Sequence, residues 1–145
     1  FGLLAIACGT PTVADTVDLG DNPEPPDLDI DEDFFHCVIQ PDVITEYRCA
    51  PGDSGEGGSC HAARSALRLV DVPSAPRCQS GRVVGVPPAE SQVNLERVRA
   101  AIGVDAESSP LYRRPLALDS HPRMIFAENS EAAELLRTWL DQGGN

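Results

Sequence analysis

The residues in this chain best suited to chemistry are Cys49 and the dipeptide Cys60-His61, with His121 and Met124 about sixty residues further on. A Cys-His dipeptide preceded by another Cys is the end of a c-type haem attachment signature. Two thiolates add to the haem vinyl groups as thioethers, and the adjacent His lies under the iron. A His or Met far along the chain then closes the other face. The usual signature has two residues between the cysteines, whereas Ala50 to Ser59 puts ten here. A flexible excursion can loop out and still bring Cys49 beside Cys60, because closure entropy grows slowly with loop length. The same residues admit other chemistry. Cys49 and Cys60 can form a disulfide in an oxidising compartment. Zinc held by Cys49, Cys60 and two His would have a spacing that matches no common structural site. His61 alone can be a surface residue, and His121, extended by the following Pro122, can be a turn residue. His36 beside Cys37 is a weaker ligand candidate.

These residues need elements to hold them. Phe34 and Phe35 end an acidic run and begin the apolar sequence. Pro41 suits a first helical turn and Asp42 a helix N-terminus, so a short helix is expected from about Pro41 to Arg48, with Val43, Ile44 and Tyr47 on its apolar side. The loop from Ala50 to Ser59 has four glycines and should be exposed. Residues 65–70 alternate weakly and suit a short strand or a helical turn. A further strand is expected at Arg82–Val86. A second helix is expected over Gln92–Ile102, capped by Ser91 and stopped by Gly103. Pro110, Pro115 and Pro122 should keep residues 108–124 irregular. The clearest element is the last helix. Asn129 or Ser130 caps it, Ala132, Leu135, Leu136, Trp139 and Leu140 form its apolar stripe, and Gly143 closes it. The expected fold is mostly α, with long loops.

Charge and composition divide the chain of 145 residues unevenly. Nine acids and no base fall in residues 15–33, whereas the other fourteen acids face all eleven arginines, leaving residues 34–145 at −3. The formal charge of −12 therefore belongs mainly to a Pro- and Asp-rich stretch over 9–33, expected to be a disordered, self-repelling linker. Without a basic patch to neutralise phosphates, nucleic-acid binding is disfavoured. Ahead of the linker, residues 1–8 read as the tail of a signal peptide. Ala5-Ile6-Ala7-Cys8 resembles a bacterial lipobox, in which Cys8 receives a diacylglycerol. The expected arrangement is a lipid anchor on Cys8, a tether, and one domain over 34–145 at the periplasmic or outer face of a bacterial envelope. Aromatics make up 5% of the chain, so the core must be largely aliphatic and would gain from a staple. No nucleophile elbow, phosphate-cradling glycine motif or HExxH is present; Asp53-Ser54-Gly55 stands in a domain too small for a serine-protease fold. No enzymatic reaction is expected.

Residues 34–141 resemble the cytochrome c-like domains of bacterial lipoproteins of the myxobacterial and planctomycete type. The resemblance lies in Phe35-His36-Cys37-Val38-Ile39-Gln40-Pro41, in Cys49 through Cys60-His61-Ala62, and in Ser109-Pro110-Leu111-Tyr112-Arg113-Arg114-Pro115-Leu116. It continues in His121-Pro122 with Ile125-Phe126 and in Leu136-Arg137-Thr138-Trp139-Leu140. It implies a small helical cytochrome c-like domain with one covalent haem c, Cys49 and Cys60 as thioether positions, His61 as proximal ligand and His121 as distal ligand. Met124 is the alternative distal ligand. The implied function is one-electron transfer by a monomer to a redox partner that the sequence does not identify. The ten-residue spacing departs from the family pattern, and the rival expectation is a haem-free, disulfide-stapled envelope domain serving as an interaction or structural module. With Cys8 and the haem pair assigned, Cys37 and Cys78 remain, and a disulfide between them is the simplest reading. Four cysteines allow three pairings, which sequence alone does not separate.

Overall fold

The computed structural model describes residues 29–50, 61 and 66–142. Cys8, the acidic stretch before residue 29, and the glycine-rich loop with Cys60 lie outside the described residues. The regular structure of the described residues is mostly helical. α1 (Glu32–Phe34) runs directly into a π-helical segment (Phe35–Thr45), and a small hairpin follows, made of β1 (Cys78–Gln79) and β2 (Arg82–Val83). α2 (Ala89–Arg99), α3 (Pro110–Arg113) and α4 (Glu131–Gln142) complete the order. Among the described residues no helix is long and apolar enough to cross a membrane.

The first helix begins well before the expected Pro41. Asp31 caps it, its Oδ1 accepting from the Phe34 N–H at 2.9 Å, and Ile30 before it is buried in the core. The expected boundary at Phe34 followed composition, which hides one capping acid and one core isoleucine among other acids. Pro41 stands in the middle of the helix rather than in its first turn. In a regular α-helix its ring would press on the carbonyl of Cys37 and its missing N–H would break a bond. The wider π turn, with Glu46 N–H donating to Pro41 O at 3.1 Å, accommodates both. Its buried residues recur every four positions: Phe35, Ile39 and Val43 form one row, and His36, Gln40 and Ile44 the next. The helix stops where Arg48 takes φ +51°. Arg48 N–H then donates to Thr45 O at 3.0 Å and Cys49 N–H to Ile44 O at 2.9 Å, the paired bonds of a Schellman turn. That turn fixes the backbone of Cys49.

α4 follows its sequence pattern closely. Ser130 Oγ accepts from the Ala133 N–H at 3.3 Å, and Ala132, Ala133, Leu136, Trp139 and Leu140 are buried, with Leu135 half-buried. Trp139 packs its ring 5.3 Å from that of Phe35 and donates Nε1–H to Asp31 O at 2.8 Å, so the last helix clamps the start of the first.

α2 is displaced from its expected place by three residues. It starts at Ala89 behind Pro87-Pro88, and Ser91 lies inside it rather than capping it. The reason is buried chemistry: Ser91 Oγ meets His36 Nδ1 at 2.7 Å, both side chains being buried. The helix also ends earlier than Ile102, and Gly103 serves close approach instead. A Cβ there would lie 2.5 Å from Ser108 Oγ and 2.8 Å from the Ser108 backbone.

No strand forms at 66–70; that segment is held instead by Asn94 of α2. Asn94 Oδ1 accepts from Val70 N–H at 2.8 Å, while its Nδ2 donates to Val70 O at 2.8 Å and to Gln40 Oε1 at 3.0 Å. One amide thus ties α2, the π segment and the middle loop together. The expected strand at 82–86 shrinks to Arg82–Val83, paired antiparallel with Cys78–Gln79. Ser80 (φ +52°) and Gly81 (φ +75°) make the tight turn between them, both in the left-handed region that such hairpins require. The hairpin is fastened to the helix by Asp33 Oδ1, which accepts from Val83 N–H at 3.0 Å, and by a Cys37–Cys78 disulfide with a Cα–Cα distance of 5.9 Å. Within the irregular stretch 108–124, Pro110 opens the short α3, as a proline can at a first helical position.

Candidate functional site

The π segment, the middle loop, α3 and the strap that follows it surround an apolar slot. Ile39, Val43 and Ile44 line one wall, Leu67 and Leu69 another, and Leu111, Phe126 and Leu136 close the rest. The slot is narrow, with a cavity volume of about 60 Å³. Three of the candidate residues line it: Cys49, His61 and His121.

The two imidazoles are stacked, with ring centroids 6.3 Å apart and planes inclined by 21° to one another. Separate stretches of chain deliver them. His61 stands at the head of the middle loop, its carbonyl accepting from Leu69 N–H at 2.9 Å. His121 stands on the strap after α3, which is turned back by Ile125 N–H donating to Pro115 O at 2.7 Å. In each ring Nδ1 contacts a backbone carbonyl, Leu67 O at 2.9 Å for His61 and Arg123 O for His121. A carbonyl only accepts, so Nδ1 carries the proton in both rings. The neutral imidazoles then present Nε2 as a lone pair. A hydrogen bond from one ring nitrogen to a carbonyl fixes the tautomer and the orientation of an imidazole.

Cys49 is half-buried on the slot wall, and Cys60, next to His61 in sequence, lies outside the described residues. Met124 is 61% exposed and does not line the slot, although it is only three residues from His121. His36 is remote from it in role, engaged with Ser91, and burial lowers its pKa below the ordinary imidazole value against the opposing pull of Glu32 and Asp33. Among the described residues, no three His, Cys, Asp or Glu side chains gather as a metal site. The arrangement brings two imidazole rings together beside apolar walls.

Sequence patterns did not single out Arg114, the one permanently charged side chain among the described residues that line the slot, nor Asn94, which holds the middle loop. One arginine among eleven carries no local signal, and a buried asparagine reads like any polar helical residue. No family model, curated protein or solved structure matches this chain.

Proposed function

We propose that the domain binds a single haem c in the slot between His61 and His121 and serves as a one-electron carrier, tethered to a bacterial membrane through Cys8. The observation that carries this reading is the facing imidazole pair with each Nδ1–H given to a backbone carbonyl. The bound group would supply reversible one-electron chemistry. His61 and His121 would hold it from both faces, Cys49 and Cys60 would anchor its edge, and the aliphatic walls would exclude water. A pair of His ligands favours a lower potential than a His and a Met would.

The test is the full chain expressed in a host that matures haem c. One haem retained per chain after denaturation, seen by intact mass and by its visible spectrum, is the expected result. Double substitution of Cys49 and Cys60 by Ala should abolish that retention. A colourless wild-type protein whose Cys49 and Cys60 are joined in a disulfide would establish the haem-free stapled module instead.

A further inference from the structure

We propose that a cleft between the first helix and α2 binds a small uncharged polyhydroxylated molecule, a single sugar ring or a short polyol, with the buried His36 as its floor. The cleft shares no lining residue with the slot, and the proposal does not rest on the haem reading. Its cavity volume is about 330 Å³, at the small end of the range of about 300–1,000 Å³ usual for small-molecule sites. The first helix contributes Glu32 and His36, and α2 contributes Gln92, Leu95, Glu96 and Arg99. Most such sites are lined mainly by apolar side chains, whereas here only Leu95 and Pro87 are apolar. The occupant must therefore be polar itself.

His36 decides what that occupant presents. The side chain is 3% exposed, and its Nδ1 lies 2.7 Å from Ser91 Oγ. Ser91 is fully buried and its hydroxyl has no other partner among the described residues. That hydroxyl therefore donates to Nδ1 rather than leave its own proton unpaired, and the neutral ring carries its proton on Nε2. Burial favours this neutral form over the opposing pull of Glu32 and Asp33. Nε2 has no partner among the described residues, yet it is not among their sealed unpaired atoms, so it opens on the cleft that His36 lines. An N–H at the floor of a cavity calls for an acceptor. The rest of the lining selects which acceptor. Two carboxylates stand against one guanidinium, and Arg99 already donates to Glu32, so an anionic acceptor is repelled. Gln92 Nε2 is engaged by Pro87 O at 3.0 Å, which leaves Oε1 as one more acceptor. An ammonium would suit the carboxylates but has no lone pair for Nε2–H. A hydroxyl meets both demands, accepting from His36 while its proton goes to a carboxylate or amide oxygen. Neighbouring hydroxyls of a sugar or polyol repeat that pairing without bringing charge.

The experiment uses the full chain with ¹⁵N-labelled histidine and follows the imidazole nitrogens by NMR at neutral pH. Methyl glucoside and glycerol are titrated in, and methylammonium and acetate in separate samples. Before any addition, His36 should carry its proton on Nε2. At least one of the two hydroxylated probes should shift that Nε2 signal saturably, while the signals of His61 and His121 stay in place. Glu96→Ala, at an exposed helical position, should weaken that affinity about tenfold, the worth of one hydrogen bond to a charged group. Arg82→Gln on the hairpin should bind like wild type. A ring proton on Nδ1 would remove the donor from the floor and overturn the proposal. So would an Nε2 signal that answers neither hydroxylated probe, or one that saturates with methylammonium or acetate instead.

Discussion

At the scale of single residues, the three histidines of the chain are set to two tasks by their hydrogen bonds. His61 and His121 give Nδ1–H to carbonyls and keep Nε2 as a lone pair at the slot, whereas His36 is buried against Ser91. Burial makes a charge on His36 costly, and its pKa is lowered for that reason first, with Glu32 and Asp33 pulling the other way. The consequence for stability has a definite sign. Between the lowered folded value and the unfolded value, about 6.5, the unfolded chain binds more protons. The His36 contribution is therefore complete above about pH 6.5 and is lost as pH falls through the folded value. Urea unfolding at pH 5 should give a lower stability than at pH 7.5, and His36→Gln should flatten that difference. A His36→Gln protein with the wild-type pH slope would show that other groups set it. Removal of the partner hydroxyl in Ser91→Ala should cost about 1–3 kcal/mol, the usual penalty for an orphaned buried polar group.

At the scale of elements, the reading from sequence succeeded where a helix stands on its own pattern and failed where an element is defined by partners distant in the chain. α4 is written in a cap and an apolar stripe, and the structure keeps both. The start of the first helix depends on one acid among many, and Pro41 reads as a helix start because the sequence does not reveal a π turn able to absorb it. Ser91 looked like a cap, yet its hydroxyl is used 55 residues away on His36. The Schellman turn at Arg48 is a case where local chemistry is strained: a non-glycine residue holds φ +51°. Arg48→Gly should relieve a left-handed cost of about 1–2 kcal/mol, less the extra freedom glycine has when unfolded, for a net gain of about 0.5–1 kcal/mol. The melting temperature should then rise by a few degrees; a fall would mean that the Arg48 side chain contributes more than its backbone costs. The Cys37–Cys78 disulfide, closing a separation of 41 residues, should stabilise by about 4 kcal/mol in the chain-entropy model. The Cys37→Ala/Cys78→Ala double variant should show that loss in urea unfolding without changing the occupancy of the slot.

At the scale of the whole molecule, the sequence named His61 and, through the family resemblance, His121 as candidates for one site, and both rings line one slot. The slot itself is assembled from the π segment, the middle loop, α3 and α4, each giving one to three aliphatic side chains that look like ordinary core in sequence. That is why Arg114 escaped notice; Met124, the alternative candidate to His121, is 61% exposed. The central claim is that both imidazoles serve one iron. It is tested most directly by comparing visible spectra and carbon monoxide binding of haem-loaded wild type, His121→Ala and Met124→Leu. The account predicts a low-spin wild type that does not bind carbon monoxide, a His121→Ala protein that keeps its haem but turns high-spin and binds it, and a Met124→Leu protein like wild type. A His121→Ala spectrum identical to wild type, or a high-spin form produced by Met124→Leu instead, would contradict it.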